Sequence, residues 1–157
     1  MTERLYLEDL HVGQRFASAP HHLDAAQIKK FAAEFDPQPF HLDDAAAAAN
    51  PLFGRLCASG WHTAAMGMRM TADYWETLGG RAILGGAGID ELRWLKPVYP
   101  GDTLRCECDV IDARPSASKP HLGIVRFRLV ILNQDDVPVL SQISNVVVRR
   151  RPQPASE

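Results

Sequence analysis

The stretch "SGWHTAAMGMRMTADYWETLGG", residues 59 to 80, decides how the rest of this chain must be arranged. Apolar and small residues occur on almost every side of a helix built from it, over about five turns. A helix that is hydrophobic nearly all round is typically buried. Ser59 can cap its first turn, and Gly79 with Gly80 can end it. The sequence therefore predicts a long, buried helix with other elements around it.

The chain after this helix shows the two-residue alternation of β-strands. We expect four antiparallel strands, within residues 89–98, 102–115, 123–133 and 140–150, with a turn around Asp135 and Asp136. In the second and third strands one face is apolar and the other polar. The inward positions are Leu104, Cys106, Cys108, Val110, Val125, Phe127, Leu129 and Ile131, and Arg126 and Arg128 point outward. This segment predicts an antiparallel sheet with one buried face.

The chain before the long helix predicts a short strand and two helices. A glycine turn opens the strand-like segment at residues 12–20, and Asp24 is a good N-cap for a helix over residues 25–34. A short alanine-rich helix follows within residues 42–50, with Asp43 or Asp44 at its start. Helices on one face of a sheet define an α+β layer design. We expect one domain over residues 1–150 and a flexible tail over residues 151–157.

The composition excludes several classes of function. The 157 residues are 46% hydrophobic and 23% charged, with a net charge of −2, and no basic stripe supports nucleic-acid binding. The charged N-terminus does not resemble a signal peptide, and no run is apolar for the ~18–20 residues of a membrane helix. The cysteines are Cys57, Cys106 and Cys108. Their odd number, without the spacing of a disulfide framework, indicates reduced thiols in a cytoplasmic protein. The histidines lack partners at ligand spacing, so we expect neither a metal nor a cofactor.

The segment "FDPQPFH", residues 35 to 41, is the strongest candidate for a functional site. It carries Asp36 and His41 with Pro37 and Pro39 between them. Each proline fixes its own φ near −65° and disfavours helix at the residue before it. We expect a stiff loop whose acid and imidazole converge on one point.

Residues 31–63, "FAAEFDPQPFHLDDAAAAANPLFGRLCASGWHT", resemble the hydratase segment of the MaoC-like, R-specific enoyl-CoA hydratases. That family carries an Asp-x-Asn-Pro-x-His loop, a Phe-Gly turn, and a His-Gly or Ser-Gly pair where the central helix begins. Here these elements are residues 36–41, Phe53-Gly54 and Ser59-Gly60, with Gln38 in place of the usual Asn. Residues 92–104 are similar to a strand-turn-strand segment of hot-dog-fold proteins, so the resemblance extends over about residues 10–149.

The resemblance implies a hot-dog fold, in which an antiparallel sheet wraps around a long central helix, and the reversible hydration of an enoyl thioester. Asp36 and His41 would supply the base and the proton donor of this reaction, and the Gly60 N–H would stabilise the enolate oxygen. The residues leave open which of the two takes the water proton; we expect Asp36 to be the base and His41 to hold the water and relay a proton. Further substrate contacts are expected from Gln38, Phe53, Ser59 and Trp61. An acyl tail would enter a tunnel lined by the central helix, with Trp61, Met66 or Trp75 as candidate walls.

The resemblance also implies that two copies pair edge to edge into a homodimer. The substrate would be an acyl thioester of CoA or of acyl carrier protein, and no cofactor would be needed. Two alternatives remain open from the residues. A hot-dog thioesterase would need a carboxylate placed by the long helix, but Asp73 and Glu76 lie far from its N-terminal end. A non-catalytic acyl-thioester-binding subunit is disfavoured by the intact Asp36 and His41 pair.

Overall fold

The computed structural model describes residues 5–79 and 83–154. A 3₁₀ turn over Leu7–Asp9 precedes the regular elements. In chain order these are β1 (Arg15–Ala17), β2 (His21–His22), α1 (Ala25–Phe35), α2 (Pro39–Leu42), α3 (Asp44–Ala48), α4 (Gly60–Thr77), β3 (Ile83–Trp94), β4 (Thr103–Pro115), β5 (Leu122–Leu132) and β6 (Pro138–Arg149). The predictions that Gly80 helps to end the long helix and that residues 155–157 fray concern positions outside the described residues.

The six strands form one antiparallel sheet. Its order is β1-β4-β5-β6-β3, and β2 pairs with the start of β4. The alternation predicted for β4 and β5 is confirmed, because the predicted apolar positions of both strands are buried. The turn predicted at Asp135 and Asp136 is confirmed as well, with a left-handed φ of 59° at Asp136. The strand order places β3, which has 12 residues, at one edge of the sheet.

β3 begins earlier than the sequence predicts. It starts at Ile83 and ends at Trp94, so it includes Gly85, Gly86 and Gly88, which carry no pattern of side chains. Pairing with β6 holds this segment, and the ladder shifts register at three places where β3 has extra residues. Such bulges bend a strand and increase its twist. The strand exists because of a long-range ladder, which local sequence does not reveal.

α4 packs one face against the sheet. Ser59 caps it as predicted, and Gly79 follows it with a φ of 77° and donates its N–H to the Glu76 carbonyl. The prediction that the helix is buried on nearly all sides is wrong for a single chain. Trp61 is 57% exposed and Met68 is 59% exposed. The apolar residues of this second face are left without cover by the chain itself.

The core consists of two clusters between α4 and the sheet. The first surrounds Met70 and includes Ile28, Leu104, Ile131 and Leu140. It therefore joins α1 and α4 to strands β4, β5 and β6. The second surrounds Trp75 near the end of α4. Together they fix the axis of α4 across the sheet, because buried apolar area is the main stabilising term. Within residues 5–79 and 83–154, no helix is long and apolar enough to cross a membrane.

α1 ends beside the start of α4. Asp24 and Gln27 form a reciprocal capping box, as expected for an acidic N-cap followed by Gln at the third helical position. The helix ends at Asp36, whose N–H still donates to the Ala32 carbonyl. α2 and α3 follow at once, and Asp43 caps α3 as the sequence predicts. This arrangement brings residues 36–41 against the beginning of the long helix.

Candidate active site

Asp36 and His41 are held by a backbone that differs from the predicted loop. Asp36 is the C-cap of α1, and its carbonyl accepts a hydrogen bond of 2.7 Å from the Gln38 N–H. Pro39 then begins α2, a single helical turn that contains His41. Proline suits the first helical position, because its missing N–H would have no partner there. The segment is therefore not a plain loop, because residues 39–42 form a helical turn.

The His41 ring is buried and has a defined orientation. Its Nδ1 lies 2.7 Å from the carbonyl oxygen of Cys57. A carbonyl only accepts, so Nδ1 must carry the proton and donate it. Nε2 then faces Asp36, at 3.4 Å from Oδ2. The side chain of His41 is 6% exposed and that of Asp36 is 21% exposed, so the pair opens to its surroundings through the carboxylate.

Ser59 connects Asp36 to the start of α4. Its hydroxyl donates to Asp36 Oδ2 over 2.6 Å and accepts from the Trp61 N–H over 3.2 Å. Ser59 itself is fully buried. The residue is therefore both the helix cap that the sequence predicts and a fixed donor to the carboxylate. Its hydroxyl holds Asp36 at the helix N-terminus, where the helix dipole favours a negative charge.

Gly60 presents an unused donor close to this pair. It is the first residue of α4, and its N–H has no hydrogen-bond acceptor in the part of the chain that the structure describes. First-turn N–H groups have no partner within their own helix. A Cβ at position 60 would lie 2.5 Å from Nε1 of Trp94, so only glycine fits here with the indole in its present place.

Asp36, His41 and Gly60 border one open cavity of about 520 Å³. Phe53 and Trp61, two of the predicted substrate contacts, also line it. The remaining lining residues are Leu52, Ala58, Thr63, Trp94, Leu95, Lys96, Pro97 and Val98. Most of this wall is apolar, with the polar groups grouped at one side, as in many small-molecule sites.

Three predicted site residues lie elsewhere. Gln38 is exposed, stands at the N-cap position of α2 without a side-chain capping hydrogen bond, and does not line the cavity. Met66 packs against the first core cluster, and Trp75 lines a separate cavity of about 580 Å³ near the end of α4. Of the three candidate walls of the acyl tunnel, Trp61 lines this cavity, and Met66 and Trp75 do not. Trp75 is about four turns from Gly60, so it reaches the other end of the sheet.

Sequence reasoning missed three parts of this site. Trp94 covers Gly60 and makes an edge-to-face contact with Trp61, with ring centroids 5.1 Å apart. It comes from the end of β3, and nothing in its local sequence shows that this strand end reaches the helix start. The Cys57 carbonyl orients His41, and a backbone acceptor leaves no signal in a sequence. Lys96 is also at the cavity, directly after a strand that was expected to continue.

The other candidate groups lie outside the cavity. Asp73 pairs with Arg69 at 2.9 Å, and Glu76 lines the separate cavity beside Trp75, so neither carboxylate that a thioesterase would use is near His41. Burial raises the pKa of the Cys57 thiol to about 11, which keeps it a neutral packing residue. Among residues 5–79 and 83–154, no group of three or more His, Cys, Asp or Glu side chains could hold a metal ion.

Comparison with known proteins identifies the class. The family described as "MaoC like domain" matches residues 9–130, and the chain belongs to that family. It is 31% identical to the uncharacterized protein YdeM of Bacillus subtilis over 144 residues, which are 92% of this chain and 99% of the relative. The MaoC-like dehydratase structure from Rhodospirillum rubrum is 48% identical, with a TM-score of 0.85, over 95% of this chain and 99% of that one.

The fold and the class follow from these structures. The R-hydratase PhaJ1 from Pseudomonas aeruginosa, in its unliganded form, is 25% identical, with a TM-score of 0.74, over 98% of this chain and 94% of that one. The predicted hot-dog fold, with α4 as its central helix, is confirmed. The protein is thus a hot-dog member of a family that contains hydratases and dehydratases.

Proposed function

We propose that this protein reversibly hydrates a 2-enoyl thioester to a 3-hydroxyacyl thioester, with acyl-CoA as the substrate. One observation carries the proposal. Asp36 Oδ2 and His41 Nε2, 3.4 Å apart, border the same cavity as the unused N–H of Gly60. An acid–base pair beside a backbone donor is the combination that addition of water to a conjugated thioester requires.

The hydrogen bonds of the pair favour one bound water. In the tautomer that carries its proton on Nδ1, His41 presents a lone pair at Nε2, and the Asp36 carboxylate presents another acceptor. A water between them can donate one hydrogen to each. The fixed positions of both acceptors reduce the entropy cost of bringing this water to the substrate. Asp36 is held by Ser59 and His41 by Cys57, so neither has to reorganise during the reaction.

The reaction then needs no other component. The water oxygen bonds to C3 of the enoyl group while its proton moves to Asp36, and the C2–C3 π electrons move toward the thioester carbonyl. The Gly60 N–H donates to the resulting enolate oxygen, and the helix dipole adds to this stabilisation. The proton held by Asp36 then passes through His41 to C2, and the carboxylate is restored. Dehydration follows the same steps in reverse.

The surface supports the further proposal that the protein is a homodimer. β3 is an edge strand of 12 residues, and nearly all of it is exposed. Its Leu84, Ile89 and Trp94 are 45%, 51% and 47% exposed. A long apolar edge invites pairing with another chain, and natural proteins cover such edges. The three free cysteines agree with the proposal that the protein is cytoplasmic.

The experiment is to mix the purified protein with a series of 2-enoyl-CoA thioesters, beginning with crotonyl-CoA. Loss of the enoyl absorbance is followed alongside release of free thiol. We expect absorbance loss without thiol release. Thiol release in its place would indicate a thioesterase, and neither signal at any chain length would leave an acyl-thioester-binding subunit as the better explanation.

A further inference from the structure

Trp94 lies at the end of β3, directly against the glycine that begins α4. The point that a Cβ on Gly60 would occupy is 2.5 Å from Nε1 of Trp94, 2.6 Å from Cε2 and 2.8 Å from Cδ1. The five-membered part of the indole, which carries its N–H, therefore packs on the Gly60 backbone. Trp94 also lines the cavity that Asp36 and His41 border. The fold thus brings a side-chain N–H to the place where the helix begins.

The positions of these atoms limit the distance between the two N–H donors. A Cβ lies about 2.5 Å from the backbone nitrogen of its own residue, given standard bond lengths and angles. The same point is 2.5 Å from Nε1 of Trp94, so the Gly60 nitrogen and this indole nitrogen are at most ~5 Å apart. Two N–H groups can both donate to one oxygen, at ~2.9 Å from each, when their nitrogens are less than ~5.8 Å apart. The Gly60 and Trp94 donors are close enough to share one acceptor.

Both donors are available. The indole N–H of Trp94, like the N–H of Gly60, has no hydrogen-bond acceptor in the part of the chain that the structure describes. The hydroxyl of Thr63, which also lines the cavity, donates to a backbone carbonyl 3.5 Å away. The Asp36 carboxylate and His41 Nε2 act as acceptors in the proposed reaction. Trp94 is therefore the cavity side chain whose free N–H is held beside the glycine.

The indole is held in this position by its strand and by a second indole. The Trp94 backbone pairs with Leu140 of β6, and the N–H of the next residue, Leu95, donates to the Val139 carbonyl over 2.8 Å. The Trp94 ring makes an edge-to-face contact with Trp61, with 5.1 Å between centroids and 81° between planes. A donor that is fixed before the reaction needs no reorganisation when charge develops, and this makes an oxyanion hole effective.

We infer that the Trp94 indole N–H is a second catalytic donor, which binds the enolate oxygen of the thioester together with the Gly60 N–H. The inference rests on the proposed function of the cavity and adds a catalytic residue to it. When the water oxygen bonds to C3, negative charge moves onto the thioester oxygen, and both donors bind it. When the proton reaches C2, this charge returns to the carbonyl π bond. Hydrogen bonds that are stronger to the enolate than to the neutral carbonyl accelerate the reaction.

The first test removes the indole N–H and keeps an aromatic ring. Trp94→Phe lacks the donor, and 3-benzothienylalanine incorporated at position 94 replaces the N–H by sulfur with nearly the same shape. We expect kcat for a 2-enoyl-CoA to fall between ~10-fold and ~100-fold in both variants, as for loss of one hydrogen bond to a charged oxygen, with KM unchanged. A kcat within about twofold of the wild type for the benzothienyl variant would overturn the inference, because one such donor contributes far more.

The second test detects the donors without turnover. Acetoacetyl-CoA is a 3-oxoacyl thioester whose enolate absorbs in the near ultraviolet, so the absorbance reports the bound enolate. The measurement uses Asp36→Asn protein, because this change removes the negative charge that would oppose a second anion in the cavity. We expect this protein to raise the enolate absorbance. With the benzothienyl side chain at position 94 in the same background, we expect the ratio of bound enolate to keto form to be about tenfold lower.

The enolate measurement separates the inference from the proposed function. An equal rise with tryptophan and with the benzothienyl side chain would show that the indole N–H binds no oxyanion, even if the wild type hydrates enoyl-CoA. No rise with either side chain would overturn the inference as well, because two free donors must stabilise an enolate beside them. A smaller rise with the benzothienyl side chain, for a protein whose wild type hydrates no enoyl-CoA, would support the donor and reject the proposed reaction.

Discussion

Asp36 is the residue on which the site depends. One of its oxygens accepts from Ser59 and lies 3.4 Å from His41 Nε2, while the residue itself ends α1. Ser59 in turn caps α4. A single short hydrogen bond of 2.6 Å thus connects the acid–base pair to the helix that carries the proposed oxyanion donor. Charge-assisted hydrogen bonds of this kind are stronger than neutral ones.

His62 provides a prediction about acid stability. Its ring is buried and stacked on Phe31, 4.5 Å between centroids, and its Nδ1 has no hydrogen-bond partner among the described residues. Burial lowers the pKa of His62 below 6.5. Between the lowered pKa of folded His62 and the ordinary value of 6.5, the unfolded chain binds a proton that the folded chain does not. The free energy of unfolding therefore falls as the pH drops below 6.5.

Replacing His62 removes the group whose protonation in the unfolded chain lowers stability in acid. We expect the Tm of His62→Phe to fall less than that of the wild type between pH 7 and pH 5, measured by thermal unfolding. The control His11→Phe alters an exposed histidine and should follow the wild type. Equal slopes for His62→Phe and the wild type would contradict the effect of burial on the His62 pKa.

Part of the site could be predicted from local sequence. Asp36, His41 and Gly60 stand in a recognisable order, and the structure brings all three to one cavity. Gln38 could not be judged, because whether a side chain faces a cavity depends on the turn that carries it. Trp94 could not be found either. It reaches Gly60 only through the pairing of β3 with β6, which joins residues more than 40 positions apart.

At the scale of elements, the approach of α4 to the sheet depends on Gly67. A Cβ at this position would lie 2.8 Å from Cδ1 of Ile131, which is fully buried. Alanine gains about 1 kcal/mol of helix propensity but overpacks the core at a cost of about 1–3 kcal/mol. We expect Gly67→Ala to lower the free energy of unfolding by about 1 kcal/mol net, measured with urea.

Ile131→Val provides the matched control, because it removes the methyl group that the new Cβ would meet. The single change should cost about 0.5–1.5 kcal/mol. The double variant should be more stable than the sum of the two losses implies. Strict additivity would mean that Gly67 is not required for the close approach of the helix.

The elements themselves were largely predictable, since period and caps are local. α1, α3, α4, β4 and β5 follow from Asp24, Asp43, Ser59 and two alternating runs. Two elements differ for physical reasons. α2 forms because Pro39 favours a first helical position, and the glycine-rich start of β3 is ordered by its ladder with β6. The local sequence pattern predicts neither the pairing of β3 with β6 nor the exposed face of α4.

At the scale of the whole molecule, the exposed edge of β3 and the uncovered face of α4 indicate a second copy. We expect Ile89→Arg, in the middle of β3, to bring two like charges close together in a β3-paired dimer and to shift the protein from dimer to monomer. Light scattering after size-exclusion chromatography measures the mass. Val12→Arg is the control, because Val12 is 67% exposed and lies outside β3. A monomeric wild type, or an unchanged dimer of Ile89→Arg, would contradict pairing through β3.

The most direct measurement is the kcat of Asp36→Asn for hydration of a 2-enoyl-CoA that the wild type accepts. Asparagine keeps the size of Asp36 and an oxygen that can accept from Ser59, so thermal unfolding should stay close to the wild type. We predict a fall in kcat of about 100-fold or more, the contribution of one acid–base group. A kcat within about threefold of the wild type, in a folded variant, would show that Asp36 is not the base, because that loss is far below what such a group contributes.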